Sequence, residues 1–386
     1  MFKLRAGLVG LMLTLNVAML NVMPVWADGP ANVAKANYHL WPDAINTSEG
    51  FNKASRAYIL LYLLALHDMQ QLTDGEMLSS FKIKSLNRAS VDKWFKKEQI
   101  QILINYQRAT VNCIADDWSC VGQTTTVDEL LKKAMAVRVK IPHELQSWQD
   151  NLVGFSRVYI AEQLRLAALF PKVSSEIDRF NANELNGDNV PDRQFFLTFD
   201  DGPTNPQGST DDTLMMLAAQ KKSATFFVLG KNFQARLSKV GSDSLAKLYQ
   251  SHCVASHGWE HQSHAKWEQW QDSIKRTQDL VTSTIDAKHR LALFRPPYGQ
   301  RKPDSEAFFR SQSLQVALWN LDSQDWNGHV TADDIVDRMV TLMLIKRHGV
   351  LLFHDIHPKA KVALPVMFSL LGNSVTWGDC NQLLSM

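Results

Sequence analysis

Between residues 194 and 371 the apolar side chains fall into short runs that alternate with stretches of helical spacing, and this rhythm constrains the fold more than any other feature of the chain. The runs at 194–199, 224–229, 291–294, 316–318 and 350–353 have strand length. The intervening segments at 211–219, 270–285, 333–344 and 364–371 carry helical periodicity. Strand–helix alternation of this kind predicts a mostly parallel sheet wrapped by helices. Chemically active side chains stand just after the runs, at the C-terminal ends of the strands, where such folds build active sites.

Residues 32–180 follow a different rhythm. The segment 51–72 is densely apolar, and 91–106 has apolar residues at mixed steps of three and four. Leu145, Trp148, Leu152, Phe155 and Tyr159 mark one face of a long helix, and Thr126 with Glu129 has capping-box form. The expectation is an all-helical accessory domain over 28–180, without a catalytic constellation of its own. The polar stretch 181–193, with an Asn-Gly pair and a Pro, reads as a linker to a second domain at 194–386. At the start of the chain, Lys3 and Arg5 precede an apolar run that ends near Ala27. Residues 1–27 therefore read as a signal peptide cleaved near Ala27, for an exported, periplasmic or secreted protein.

Charge and cysteine content narrow the classes further. With 41 Lys and Arg against 39 Asp and Glu, the chain lacks the basic excess of a general nucleic-acid binder. No Gly-rich P-loop sequence is present. The apolar stretch 57–66 is too short to span a bilayer, so no transmembrane segment is expected after the signal. Export implies an oxidising compartment. Cys113 and Cys120 would staple a short loop, leaving Cys253 and Cys380 as a second pair, with a thiolate-ligand role for Cys253 as the alternative.

Five strand-end motifs carry the chemistry. Thr198-Phe199-Asp200-Asp201-Gly202-Pro203 sets two carboxylates side by side, a repulsion that a cation would remove. His257 and His261 stand four apart, a spacing that a helical turn would bring to one face; His264 would extend the face. One carboxylate and two imidazoles suit Zn²⁺ with a position left for water. Arg295-Pro296-Pro297-Tyr298-Gly299 is a stiff loop able to aim an Arg and a backbone N–H at one point. Asp322-Ser323-Gln324-Asp325-Trp326 and Leu351-Leu352-Phe353-His354-Asp355 end the last two strands, the second placing a His where a general acid could stand.

Together these motifs resemble the polysaccharide deacetylases of the NodB-homology type, carbohydrate esterase family four, over residues 194–384. The resemblance implies a distorted (β/α) barrel and an enzyme hydrolysing linear amide C–N bonds. It implies Asp201, His257 and His261 as ligands of one divalent metal, zinc first and cobalt or nickel as substitutes. Asp200 would be the general base, held by Arg295, and Tyr298 would lend its N–H to the oxyanion. His354 would be the general acid, tuned by Asp325, with Trp326 and Leu352 forming the acetyl pocket. His357, beyond the motif, reads as structural. Gly258 departs from the family's usual Ser or Thr, a lost hydroxyl expected to loosen the contact that orients the imidazole. The substrate expected is an N-acetylated polysaccharide of N-acetylglucosamine units, peptidoglycan first. Exopolysaccharide, chitin-type oligomers, small linear amides and a non-catalytic glycan binder are the alternatives.

Overall fold

The computed structural model describes residues 32–114, 116–172 and 177–385; the expected signal peptide, 1–27, lies outside them. Five helices come first: α1 (Ser48–Gln70), α2 (Asp74–Phe81), α3 (Arg88–Ala109), α4 (Val127–Arg138) and α5 (Gln146–Leu169). Then follow β1 (Glu184–Leu185), β2 (Gln194–Asp200), α6 (Ser209–Ala219), β3 (Thr225–Val228), α7 (Gly230–Val240), α8 (Ser242–Leu248) and β4 (Cys253–Ser256). After these come α9 (Trp270–Thr284), β5 (Arg290–Phe294), α10 (Glu306–Ser311), β6 (Gln315–Ala317) and β7 (Leu321–Asp322). The chain closes with α11 (Ala332–Lys346), β8 (Gly349–His354), α12 (Ala360–Leu371) and β9 (Thr376–Trp377).

The strands form a parallel half-barrel in the order β1-β6-β5-β4-β3-β2-β8-β7, with β9 beside the start of β2. The (β/α) fold expected from the alternation is the one observed. Strand parity divides its residues. Phe195, Leu197 and Phe199 of β2 and Leu351 and Phe353 of β8 join the cluster under the helices. Phe196, Phe227, Ala255, Leu293, Val350 and Leu352 pack together on the other, inner face. Asp200, His257, Arg295 and His354 each lie an even number of residues beyond an inner-face neighbour, so continuing the strands carries all four to one mouth.

The N-terminal helices share the outer core. Phe51, Tyr58, Tyr62, Trp148 and Phe155 belong to the same apolar cluster as Phe199, Met339 and Leu364. Helix α11 is the seam. Its buried Arg338 pairs with Glu162 of α5 at 2.9 Å, and Lys346 pairs with Glu98 of α3. Asn105 Nδ2 donates to the carbonyls of Ile345 and Lys346, and Ser55 Oγ to that of Leu344, satisfying carbonyls that the end of α11 leaves open. Among the described residues no helix is long and apolar enough to cross a membrane.

Two local expectations change, and one alternative falls while the expected disulfide pairs are found. The stretch 181–193, read as a linker, carries β1, and its Glu184 is buried in an ion pair with Arg301. Its polar residues serve partners inside the protein rather than solvent, which composition cannot distinguish. Thr126 caps α4 through the Glu129 amide at 3.2 Å, but Glu129 reaches Thr125 N instead of closing the box. Cys253 is bonded to Cys380, and Cys113 to Cys120, so no thiolate remains for a metal.

Candidate active site

The site is assembled on strand ends. Asp200 closes β2 in register with His354 at the end of β8. Asp201 follows with a φ of 78°, a left-handed backbone that swings its carboxylate away from that of Asp200. Asn232 of α7 holds the turn by donating to the Asp201 carbonyl at 2.8 Å.

His257 follows β4 directly. Its Nδ1 donates to the Arg295 carbonyl at 2.7 Å, which fixes the tautomer and leaves the Nε2 lone pair facing inward. That Nε2 lies 3.4 Å from Asp201 Oδ1, and His261 Nε2 lies 3.5 Å from the same oxygen. Both separations are long for hydrogen bonds. Asp201 Oδ1 is buried without a hydrogen-bond partner, and the three ligand atoms lie within 4.8 Å of one another. An orphaned carboxylate oxygen facing two imidazole nitrogens could hold a divalent cation, and the chemistry of these donors fits zinc. Burial raises the Asp201 pKa, but the His257, His261 and His354 imidazoles that face it overcome this and hold it far below the carboxylate range. Burial lowers the His261 pKa, which favours the neutral ring that binding a metal would need.

The expected helical turn through 257–261 is absent. The segment is an irregular loop, because Gly258 adopts a φ of 81°, yet it brings the two rings to 5.4 Å between centroids. His264 does not join the ligand set; it is fully buried, hydrogen-bonded to Ser273, with its pKa pushed down to about 4 by burial. The hydroxyl missing at Gly258 leaves His257 oriented, since the Arg295 carbonyl performs that task.

Arg295 has no exposed surface. Its Nη1 donates to Asp200 Oδ1 at 2.9 Å and Thr198 Oγ1 at 2.7 Å, while Nε and Nη2 bind the carbonyls of Ala317 and Leu318. It also lies over the Phe227 ring at 4.0 Å. These contacts reach β2, β3 and the end of β6, so Asp200 is held from several directions. Burial lowers the Arg295 pKa, which Asp200 partly restores.

Across the mouth, Asp325 grips His354 twice, accepting from its backbone N at 2.8 Å and from Nδ1 at 2.7 Å. Burial favours the neutral imidazole, but the Asp325 charge and hydrogen bond prevail and push the pKa up to about 10. Tyr298 turns with a φ of 59° and is 54% exposed; its ring meets His261 edge-on at 4.4 Å. Trp326 stands half-buried beside Asp325. Leu352 is packed in the inner cluster one inward position below His354. His357 is half-buried at the rim, 6.0 Å from the His354 ring.

Two supporting groups escaped the sequence reading. Thr198, inside the first motif, shares Nη1 of Arg295 with Asp200. Asp355 accepts from Thr210 Oγ1 at 2.6 Å, and its carboxylate fills the space that a side chain at position 202 would need. Glycine is therefore required beside Asp201. Both residues were in view within the motifs, but nothing local marks a partner more than ninety positions away.

A parallel half-barrel that gathers paired carboxylates and imidazoles at its C-terminal mouth defines a hydrolase of the α/β class. A model of the polysaccharide deacetylase family matches residues 187–317. The chain is 31% identical over 186 residues, 47% of its length, to a chitooligosaccharide deacetylase of Bradyrhizobium, 80% of which is covered. It is 34% identical over 164 residues, 42% of its length, to a peptidoglycan-N-acetylmuramic acid deacetylase of Bacillus subtilis. That match spans only 32% of the Bacillus subtilis protein. It is 27% identical over 214 residues, 53% of its length, to a peptidoglycan-N-acetylglucosamine deacetylase of Bacillus cereus, with 73% of that protein covered. The chain belongs to the polysaccharide deacetylase family.

Proposed function

We propose that this protein is a metal-dependent N-deacetylase that removes acetyl groups from N-acetylglucosamine units of an extracytoplasmic polysaccharide, with peptidoglycan the polymer. One observation carries the reading: Asp201, His257 and His261 converge on one point, with Asp200 clamped by Arg295 and His354 clamped by Asp325 around it. When bound there, a divalent ion supplies Lewis-acid polarisation of the amide carbonyl and acidifies water.

The chain's own residues complete the chemistry. Asp200, aimed by Arg295, takes the proton from the attacking water. The Tyr298 backbone N–H donates to the developing oxyanion. An amine leaves poorly unless protonated, and His354, kept cationic by Asp325, delivers that proton. Trp326 and Leu352 face the acetyl methyl. Acetate and a free amino sugar result, without a covalent enzyme intermediate.

Two disulfides support an oxidising, extracytoplasmic location. The peptidoglycan deacetylases of the two Bacillus species support peptidoglycan as substrate, and the Bradyrhizobium relative supports chitin-type oligomers as the second reading. In this reading residues 194–386 do the chemistry and the helices of 28–180 brace α11. The test is acetate release from purified peptidoglycan, chitin oligomers and poly-N-acetylglucosamine, before and after chelation. Release from peptidoglycan that stops on chelation and returns with Zn²⁺ is expected; release that persists without metal overturns the proposal.

A further inference from the structure

We infer that His264 is the positioning residue of the ligand loop: through Ser273 it presets the backbone of 257–261 so that His257 and His261 converge before a cation arrives. The inference rests on the metal reading above and extends it to a residue outside the ligand set.

The loop has no helical hydrogen bonds to hold it, so its shape comes from outside contacts. His264 Nδ1 donates to the Gln262 carbonyl at 2.8 Å, which leaves Nε2 as an acceptor 3.1 Å from Ser273 Oγ. Ser273 therefore gives its proton to His264 and turns a lone pair to Trp259 N, 2.7 Å away, between the two ligands in sequence. The ring is wedged against Phe294 and Trp267, with centroids at 5.1 and 5.6 Å, so Ser273 meets a fixed acceptor. On the opposite edge, the amides of Gly230 and Lys231, at the start of α7, donate to the carbonyls of Gly258 and Trp259 at 2.9 and 3.0 Å. The loop is clamped from both sides.

Gly258 is fitted to the same ring. A Cβ there would lie 2.6 Å from His264 Cε1 and 3.0 Å from Ser273 Oγ, at a backbone angle that side chains disfavour. Glycine at 258 and histidine at 264 are thus one steric unit, which makes their substitutions non-additive.

The experiment uses chelated full-length protein, titrated with Zn²⁺ against a competing chelator and with Co²⁺ by visible absorption, beside urea unfolding. His264→Ala and Ser273→Ala are each expected to weaken zinc binding roughly 10–100-fold, and His264→Gln to recover part of the loss. Gly258→Ala is expected to cost more affinity in the wild-type background than in His264→Ala, where the ring is gone. Should His264→Ala fail to fold, Ser273→Ala, which removes a single oxygen, still gives the reading. Unchanged zinc affinity in the Ser273 and His264 variants, with wild type binding normally, overturns this inference alone. Wild-type protein that binds no zinc overturns the metal reading itself.

Discussion

The carbonyl oxygen of Arg295 accepts the Nδ1 proton of His257 at 2.7 Å. Because the guanidinium of the same residue holds Asp200, one buried arginine ties the proposed base to a proposed metal-binding imidazole. The two ties separate by substitution, since the carbonyl survives any side-chain change. Arg295→Lys should lower kcat by about 10²–10³, through a mispositioned base, while zinc affinity stays near wild type. Steady-state kinetics and a zinc competition titration check the split.

Asp200 and Asp201 are neighbours to which the proposed mechanism gives opposite tasks. Asp200→Asn should abolish turnover and retain metal, whereas Asp201→Asn should lose both. Metal content after gel filtration, set against acetate release, distinguishes them. Equal metal loss in the two variants would reverse the assignment.

The proposed mechanism needs His354 protonated to act as an acid, so activity should fall as pH rises through its pKa. Asp325 holds that pKa up, to about 10 in the metal-free site; a cation bound by Asp201 brings it lower by cancelling one of the charges that raise it. Asp325→Asn removes the nearest charge, and the alkaline limb of the kcat profile should move to lower pH by at least about one unit. A raised histidine pKa also stabilises the fold below the unfolded value of 6.5, and that increment is lost as pH climbs through the folded value. Urea midpoints at pH 6 and pH 10 should therefore differ less in the variant than in wild type.

Glu162→Ala removes the carboxylate that pairs with Arg338, which is 1% exposed and keeps the carbonyls of Ala34 and Asp322, and should destabilise the protein by about 1–3 kcal/mol. Replacing both residues by apolar side chains of matching volume should recover most of the loss. Because α11 belongs to the core of both halves, residues 181–386 expressed without the helices should be insoluble. Urea unfolding and soluble yield are the measurements.

Cys380→Ser opens a bond between residues 127 apart. Loop-closure entropy puts its contribution at about 2–5 kcal/mol. Cys253 begins β4, four residues before His257, so zinc affinity should fall together with the unfolding midpoint.

Much of the architecture was legible because it is written locally. The apolar runs at 194–199, 224–229, 291–294, 316–318 and 350–353 all became strands, with boundaries within about two residues. Strands β1, β7 and β9 were not legible: each has two residues, too few for a pattern, and exists because a longer neighbour offers an unpaired edge. The acid–base motifs were visible as residue types, with Arg295 and Asp325 among them, but not the further groups that steer them. Thr198, Asp355, Ser273 and the Arg295 carbonyl act across distances in sequence that no short motif spans.

Sequence alone determined the strand–helix order, the residues at each strand end and, through alternation, that Asp200, His257, Arg295 and His354 share a parity with apolar neighbours. It could not say which parity points inward, because strands covered on both faces are apolar at every position. Curling the sheet decided that, and packing α1, α3 and α5 against α11 decided that the two halves share one core. The physical reason is one of range: propensity and periodicity act over a few residues, whereas convergence of an acid and two imidazoles on one point depends on contacts between segments far apart in the chain.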